Sequence, residues 1–154
     1  MSYSRTKKST IISIVAIILS IVAFSTVIFG IGGNDDTKTV NSMNYTVGSI
    51  DAEGKAIDSK LAIFTKDKST VEGLEITIVD EPTITYQVFF YDEDGNFVSA
   101  TESLAEDFDA TTIPEGASTF RILITPVEVD GEAVEITVLN KSNYAKQLEV
   151  TFNK

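Results

Sequence analysis

Hydrophobic positions along this chain fall into two regimes. Residues 11–31 read IISIVAIILSIVAFSTVIFGI, a run of 21 with 14 Ile, Val, Leu or Phe and no charge. As a helix such a run spans about 31 Å at 1.5 Å per residue, close to the thickness of a bilayer's hydrocarbon core. The Ser and Thr hydroxyls within it can bond back to the helix backbone, and Gly30, Gly32 and Gly33 end it. From residue 44 onward apolar positions alternate with polar ones in short runs separated by Gly, Asp, Asn and Pro. The runs at 45–50, 61–65, 74–79, 84–91, 97–100, 120–125, 133–139 and 148–152 predict eight strands. Eight half-apolar strands need two faces to bury, so the expected fold is an all-β, two-sheet sandwich.

The clearest element is a hairpin over residues 83–99. Ile84, Tyr86, Val88 and Phe90 share one face of its first strand, and Thr85, Gln87, Phe89 and Tyr91 the other. Asp92-Glu93-Asp94-Gly95-Asn96 turns the chain, with Gly95 free to take a positive φ. In 120–125, Phe120, Ile122 and Ile124 share a face and Arg121 lies opposite. Tyr86, Val88, Phe90, Phe120, Ile122 and Ile124 are therefore the expected core. If the sheets pack on those side chains, Arg121 shares the outer face with Gln87, Phe89 and Tyr91.

Charge divides the chain. Arg5, Lys7 and Lys8 precede the apolar run with no acid among them, whereas residues 35–154 hold all 23 acids against nine bases, a net −14. Bases on the N-terminal side place residues 1–10 in the cytoplasm as a basic stub, residues 11–31 across the membrane, 32–43 as a polar tether, and 44–154 outside as the β domain. The alternative is a signal peptide cleaved after Ala23-Phe24-Ser25, but Val27, Ile28 and Phe29 continue the apolar run past that site. Ser13, Ala16, Ser20 and Ala23 form a seam of small residues along the helix, through which two copies can approach in lipid.

Composition narrows the chemistry. The chain has no Cys and no His. A disulfide framework, a thiol nucleophile, an imidazole base and a soft-metal site are all excluded. The acidic balance argues against nucleic acid, which needs clustered Lys and Arg on phosphates. No pair of carboxylates stands out for hydrolysis, so no enzymatic activity and no organic cofactor are expected. Asp92 and Asp94 have the alternate spacing that opens a calcium loop, but Gly95 and Ser103 stand where an EF-hand does not place them. A structural Ca²⁺ at Asp92 and Asp94, with Asp107 and Asp109 as further candidates, competes with the plainer reading of a hairpin turn.

The stretch YQVFFYDEDGNFVSA, an acidic segment, and then TIPEGASTFRILITP resembles jelly-roll modules of the carbohydrate-binding type found in bacterial surface proteins and phage tail or host-binding proteins. The matching residues are Tyr86, Phe90, Tyr91, Asp92, Phe97, Ser99, Ile113, Pro114, Ala117, Arg121 and Ile122, within 83–126. The resemblance implies a jelly roll and a glycan or other surface ligand. Such modules often stack sugars on Trp or Tyr, and this chain has no Trp.

Two functions follow. In the first, a membrane-anchored module binds cell-wall or surface glycan through Gln87, Phe89, Tyr91 and Arg121, an aromatic–amide–guanidinium platform. In the second, a structural or assembly protein, phage- or mobile-element-encoded, contacts another protein through its β domain. The structural counterpart of the first is that Phe89 instead fills a second core layer and Arg121 pairs with acids.

Overall fold

The computed structural model describes residues 36–154. The apolar run 11–31, its seam residues Ser13, Ala16, Ser20 and Ala23, and the basic stub lie outside the described residues.

The strands are β1 (Lys38–Val40), β2 (Tyr45–Val47), β3 (Ser49–Ile50), β4 (Ala56–Ile57), β5 (Ile63–Thr65), β6 (Ser69–Thr70), β7 (Glu75–Ile78), β8 (Ile84–Tyr91), β9 (Phe97–Ala100), β10 (Thr119–Pro126) and β11 (Leu148–Phe152). A five-residue helix, α1, covers Lys141–Ala145, and two 3-10 turns lie at Ser42–Asn44 and Ala110–Thr112. The larger sheet runs β2-β5-β10-β8-β9, with β6 also paired to β10. A three-stranded sheet runs β1-β11-β7, and β3 and β4 form a separate hairpin. Every pairing is antiparallel.

The all-β expectation holds, and its spine is the pair β8 and β10, matched residue for residue over eight positions from Thr119↔Tyr91 to Pro126↔Ile84. All six expected core side chains are buried, and they meet Val40, Ile76, Leu148, Val150 and Phe152 of the smaller sheet, with Leu74 just before β7, in one continuous core. Each such aliphatic or aromatic side chain favours the folded state by about 1.5–3 kcal/mol relative to exposure.

Two expected boundaries are corrected. Residues 38–40, read as tether, form β1, pairing Lys38↔Phe152 through Val40↔Val150. Only Val40 of the three is buried, so backbone bonding makes this strand and no alternation announces it. Residues 133–139, read as a strand, have no regular structure: Asp130-Gly131 makes a tight turn closed by a bridge between Val129 and Glu132, and Ile136 alone is buried beyond it. The short β4 and β6 were not foreseen.

Candidate functional site

The β8–β10 register sets Arg121 directly opposite Phe89, with Leu123 opposite Gln87 and Thr119 opposite Tyr91. Side chains opposite one another in antiparallel strands share a face. The outer face thus gathers Gln87, Phe89, Tyr91 and Arg121 as the alternation requires.

That face is not open. Phe89 is 4% exposed and Tyr91 2%, because they form a second apolar layer with Ile50, Ala62, Phe64 and Leu123, and Phe97 packs at its side. The cover is the segment carrying β3 and β4. Gly54, at its turn, has φ +76° and lies so close to Phe97 that a Cβ there would fall 2.6 Å from the ring. The Tyr91 hydroxyl donates to the Gly54 carbonyl at 2.7 Å. Phe97 meets Phe89 at 6.0 Å and Tyr91 edge-on at 6.1 Å. The expectation of an exposed aromatic platform is corrected: exposing two such rings is unfavourable, and a hairpin buries them.

Arg121 does not pair with a carboxylate. The β10 edge that faces β5 and β6 is interrupted, since β5 pairs Leu123 and Ile124 while β6 pairs Thr119 and Phe120. Residues 66–68 loop out at the gap. Two side chains bridge it: Thr65 Oγ1 accepts the Ile122 amide at 3.1 Å, and Arg121 Nη2 donates to the Lys66 carbonyl at 2.7 Å. The guanidinium carbon lies 5.8 Å from the Phe64 ring centre, while Nε is buried without a partner. Lys68, which the sequence did not single out, donates to the Gly95 carbonyl at 2.6 Å and sits 3.8 Å above the Tyr91 ring. Partial burial, then the neighbouring Arg121 charge, draws the Lys68 ammonium below its usual value, and Asp92 opposes this. Burial likewise raises the Tyr91 phenol, partly countered by Arg121. Gln87 is half-buried, its Nε2 donating to the Thr101 carbonyl at 3.1 Å.

The acidic candidates are tied into local structure. Asp92 Oδ1 accepts the Asn96 amide at 2.8 Å and Oδ2 accepts Asn96 Nδ2 at 3.0 Å, while Gly95 takes φ +83°. These bonds hold the Asp92 carboxyl below its usual range. Asp94 stands exposed on the same turn. Asp107 Oδ1 accepts the Ile78 amide at 2.9 Å, and Asp109 Oδ1 accepts the Thr111 amide at 2.9 Å. Among the described residues no three His, Cys, Asp or Glu side chains gather as a metal site. The turn chemistry the sequence predicted accounts for Asp92.

Two surface features remain. An open cleft of about 480 Å³ lies between β1 and the 65–70 segment, lined mainly by Thr, Ser, Asn and Lys. The far edge of the larger sheet is β9, and the chain continues along β8 as far as a Tyr86–Leu104 bridge. Comparison with protein-family models, curated proteins and solved structures finds no match for this chain.

Proposed function

We propose that this chain is a single-pass, membrane-anchored protein whose β domain, a jelly-roll-like sandwich held outside the cytoplasm, makes a non-catalytic contact with another protein. The jelly-roll reading is supported by the strand order: the chain passes between the sheets repeatedly, and its first and last strands, β1 and β11, lie side by side. Anchoring is supported by the 21-residue apolar run flanked by Arg5, Lys7 and Lys8.

The observation that carries the contact is the outer edge of residues 97–104. Among the described residues no strand pairs with it. A register shift at Phe90/Tyr91 leaves Val98 as an extra residue, and from Ser99 to Leu104 the edge follows β8 with Glu102 as its only charge. Edges are commonly blunted by Lys, Pro or inward charges. This one presents backbone groups to an incoming strand, the geometry of β-augmentation. Burial of Phe89 and Tyr91 removes the ring platform on which the glycan reading depends.

A photo-crosslinking residue at Ala100, in the full chain expressed in cells, should give a discrete protein adduct that Ser103→Pro abolishes and that the same residue at Lys55 does not give. Absence of an adduct at Ala100, together with glycan binding that survives Ser103→Pro, would return the domain to the glycan reading.

A further inference from the structure

The three most exposed large apolar side chains among the described residues are Leu139 at 93%, Met43 at 76% and Val138 at 76%. Apolar residues scattered singly over a surface need no explanation. These are not scattered. Met43 is the middle residue of the 3-10 turn Ser42–Asn44, and Val138 and Leu139 form the tip of the turn leading into α1, which packs on that 3-10 turn and on β2. The tip is rigidly based. Thr137 N donates to Asn140 Oδ1 at 2.7 Å, Lys141 N to the Thr137 carbonyl at 3.0 Å, and Asn140 Nδ2 to the Glu135 carbonyl at 3.2 Å. Lys141 Nζ donates to the Tyr45 carbonyl, tying α1 to β2. A turn that needs only polar residues thus presents two adjacent aliphatic ones on a fixed support.

Charge separates the same region from the rest. Residues 37–50 and 136–148 contain no Asp or Glu, though the chain has 23, and they carry three lysines, Lys38, Lys141 and Lys146. Lys38 lines a cleft with Asp67, and Lys146 lies beside Asp80 and Glu149, so these lysines are locally balanced. What singles out this pole is its aliphatic tip on two acid-free segments, which suits entry of aliphatic side chains into a membrane interface. The length of chain agrees. Six residues lie between Ile31 and Lys38, seven Cα steps, a reach of at most about 25 Å when extended. The β domain of an anchored chain is therefore kept within a few helix diameters of the bilayer.

We propose that this pole, formed by the Ser42–Asn44 turn and the turn entering α1, rests on the membrane surface, with Met43, Val138 and Leu139 in the interface. The contact rests on the anchored reading and adds an orientation to it: the acid-rich remainder of the domain faces away from the lipid.

Because the chain has no Cys, Leu139→Cys carries a single environment-sensitive fluorophore, with Glu115→Cys as the comparison. The full chain is reconstituted into vesicles of phosphatidylcholine and phosphatidylglycerol. The expected result is a several-fold rise and blue shift at position 139, quenched by doxyl-labelled lipid, with position 115 remaining aqueous. Met43→Ser with Val138→Ser should reduce the rise. An aqueous signal at 139 on a chain that floats with the vesicles overturns the contact while leaving the anchor intact. Failure to float overturns the anchor and the contact together. A rise that follows protein density and ignores doxyl lipid assigns the pole to a second copy of the chain and overturns the proposal.

Discussion

Arg121 donates from Nη2 to the carbonyl of Lys66 at 2.7 Å, across the gap where the edge of β10 loses its partner strand. The side chain that looked most like a ligand contact is thereby a splint between two strands. Hydrogen bonds from charged donors contribute about 1.5–3 kcal/mol when well placed, and this guanidinium is only partly buried. Arg121→Ala should destabilise the domain by about 1–2 kcal/mol in chemical denaturation. Arg121→Lys should not restore it, since an ammonium lacks the planar fork.

Tyr91 joins the second apolar layer to the cover above it. Tyr91→Phe removes only the bond to Gly54 and should cost about 0.5–1.5 kcal/mol. Tyr91→Ala should cost about 3–5 kcal/mol. An unchanged denaturation midpoint for Tyr91→Ala would show that the β3–β4 cover does not hold in solution.

Within the main core, Ile122→Ala should cost about 2–5 kcal/mol, because Ile122 is fully buried between the two sheets. A loss under about 0.5 kcal/mol is a surface value and would contradict the packing.

Gly54 and Gly116 form an internal control. Both have positive φ, +76° and +84°, but a Cβ at Gly54 meets Phe97 whereas one at Gly116 meets nothing within 4 Å. Gly116→Ala should cost about 1 kcal/mol from backbone strain alone. Gly54→Ala should cost clearly more, and urea midpoints for the two variants measure the difference.

Acid should loosen the Asp92 turn and the Asp109 cap. Both carboxyls are held below their usual value of 3.8, Asp92 by its bonds from Asn96 and Asp109 by its bond from Thr111. A depressed carboxyl stabilises the fold fully above its unfolded value and loses that contribution as pH falls through the folded one. Carboxyl-carbon NMR titration should therefore place both midpoints below 3.8. At the other extreme, burial raises the phenols of Tyr45 and Tyr86, so stability should decline as pH rises beyond the usual tyrosine value of 10.0.

Residues 84–91, 97–100 and 148–152 were legible as strands with their observed bounds because each alternates between a buried and a less buried face or is stopped by Asp, Gly or Asn. The shared face of Arg121, Phe89 and Tyr91 followed from period two once both strands were set with their apolar faces inward. What lies on top of that face did not. Its cover is a hairpin of two-residue strands whose pairing, Ser49↔Ile57 and Ile50↔Ala56, leaves little periodic trace. Gly48 separates it from β2, and a Cβ there would fall 2.7 Å from the Phe64 ring. The role of Arg121 was equally hidden, since the gap it spans exists only once β5 and β6 are seen to share one neighbour. The acid-free segments 37–50 and 136–148, by contrast, were visible in the sequence throughout; only the contact between the 3-10 turn and α1 joins them.

The adjacency of β1 and β11 has a mechanical side. A pull arriving from residues before Lys38 is borne first by three residue pairs, of which only Val40 contributes a side chain to the core. Those pairs can peel one after another while the β8–β10 spine remains loaded only through the rest of the domain. Release of residues 36–40 would add roughly 15–18 Å of extended chain, absorbing strain before any of the central strands yields. It would also leave β11 as a bare edge, so a stretched molecule would become stickier toward extended chains than a relaxed one.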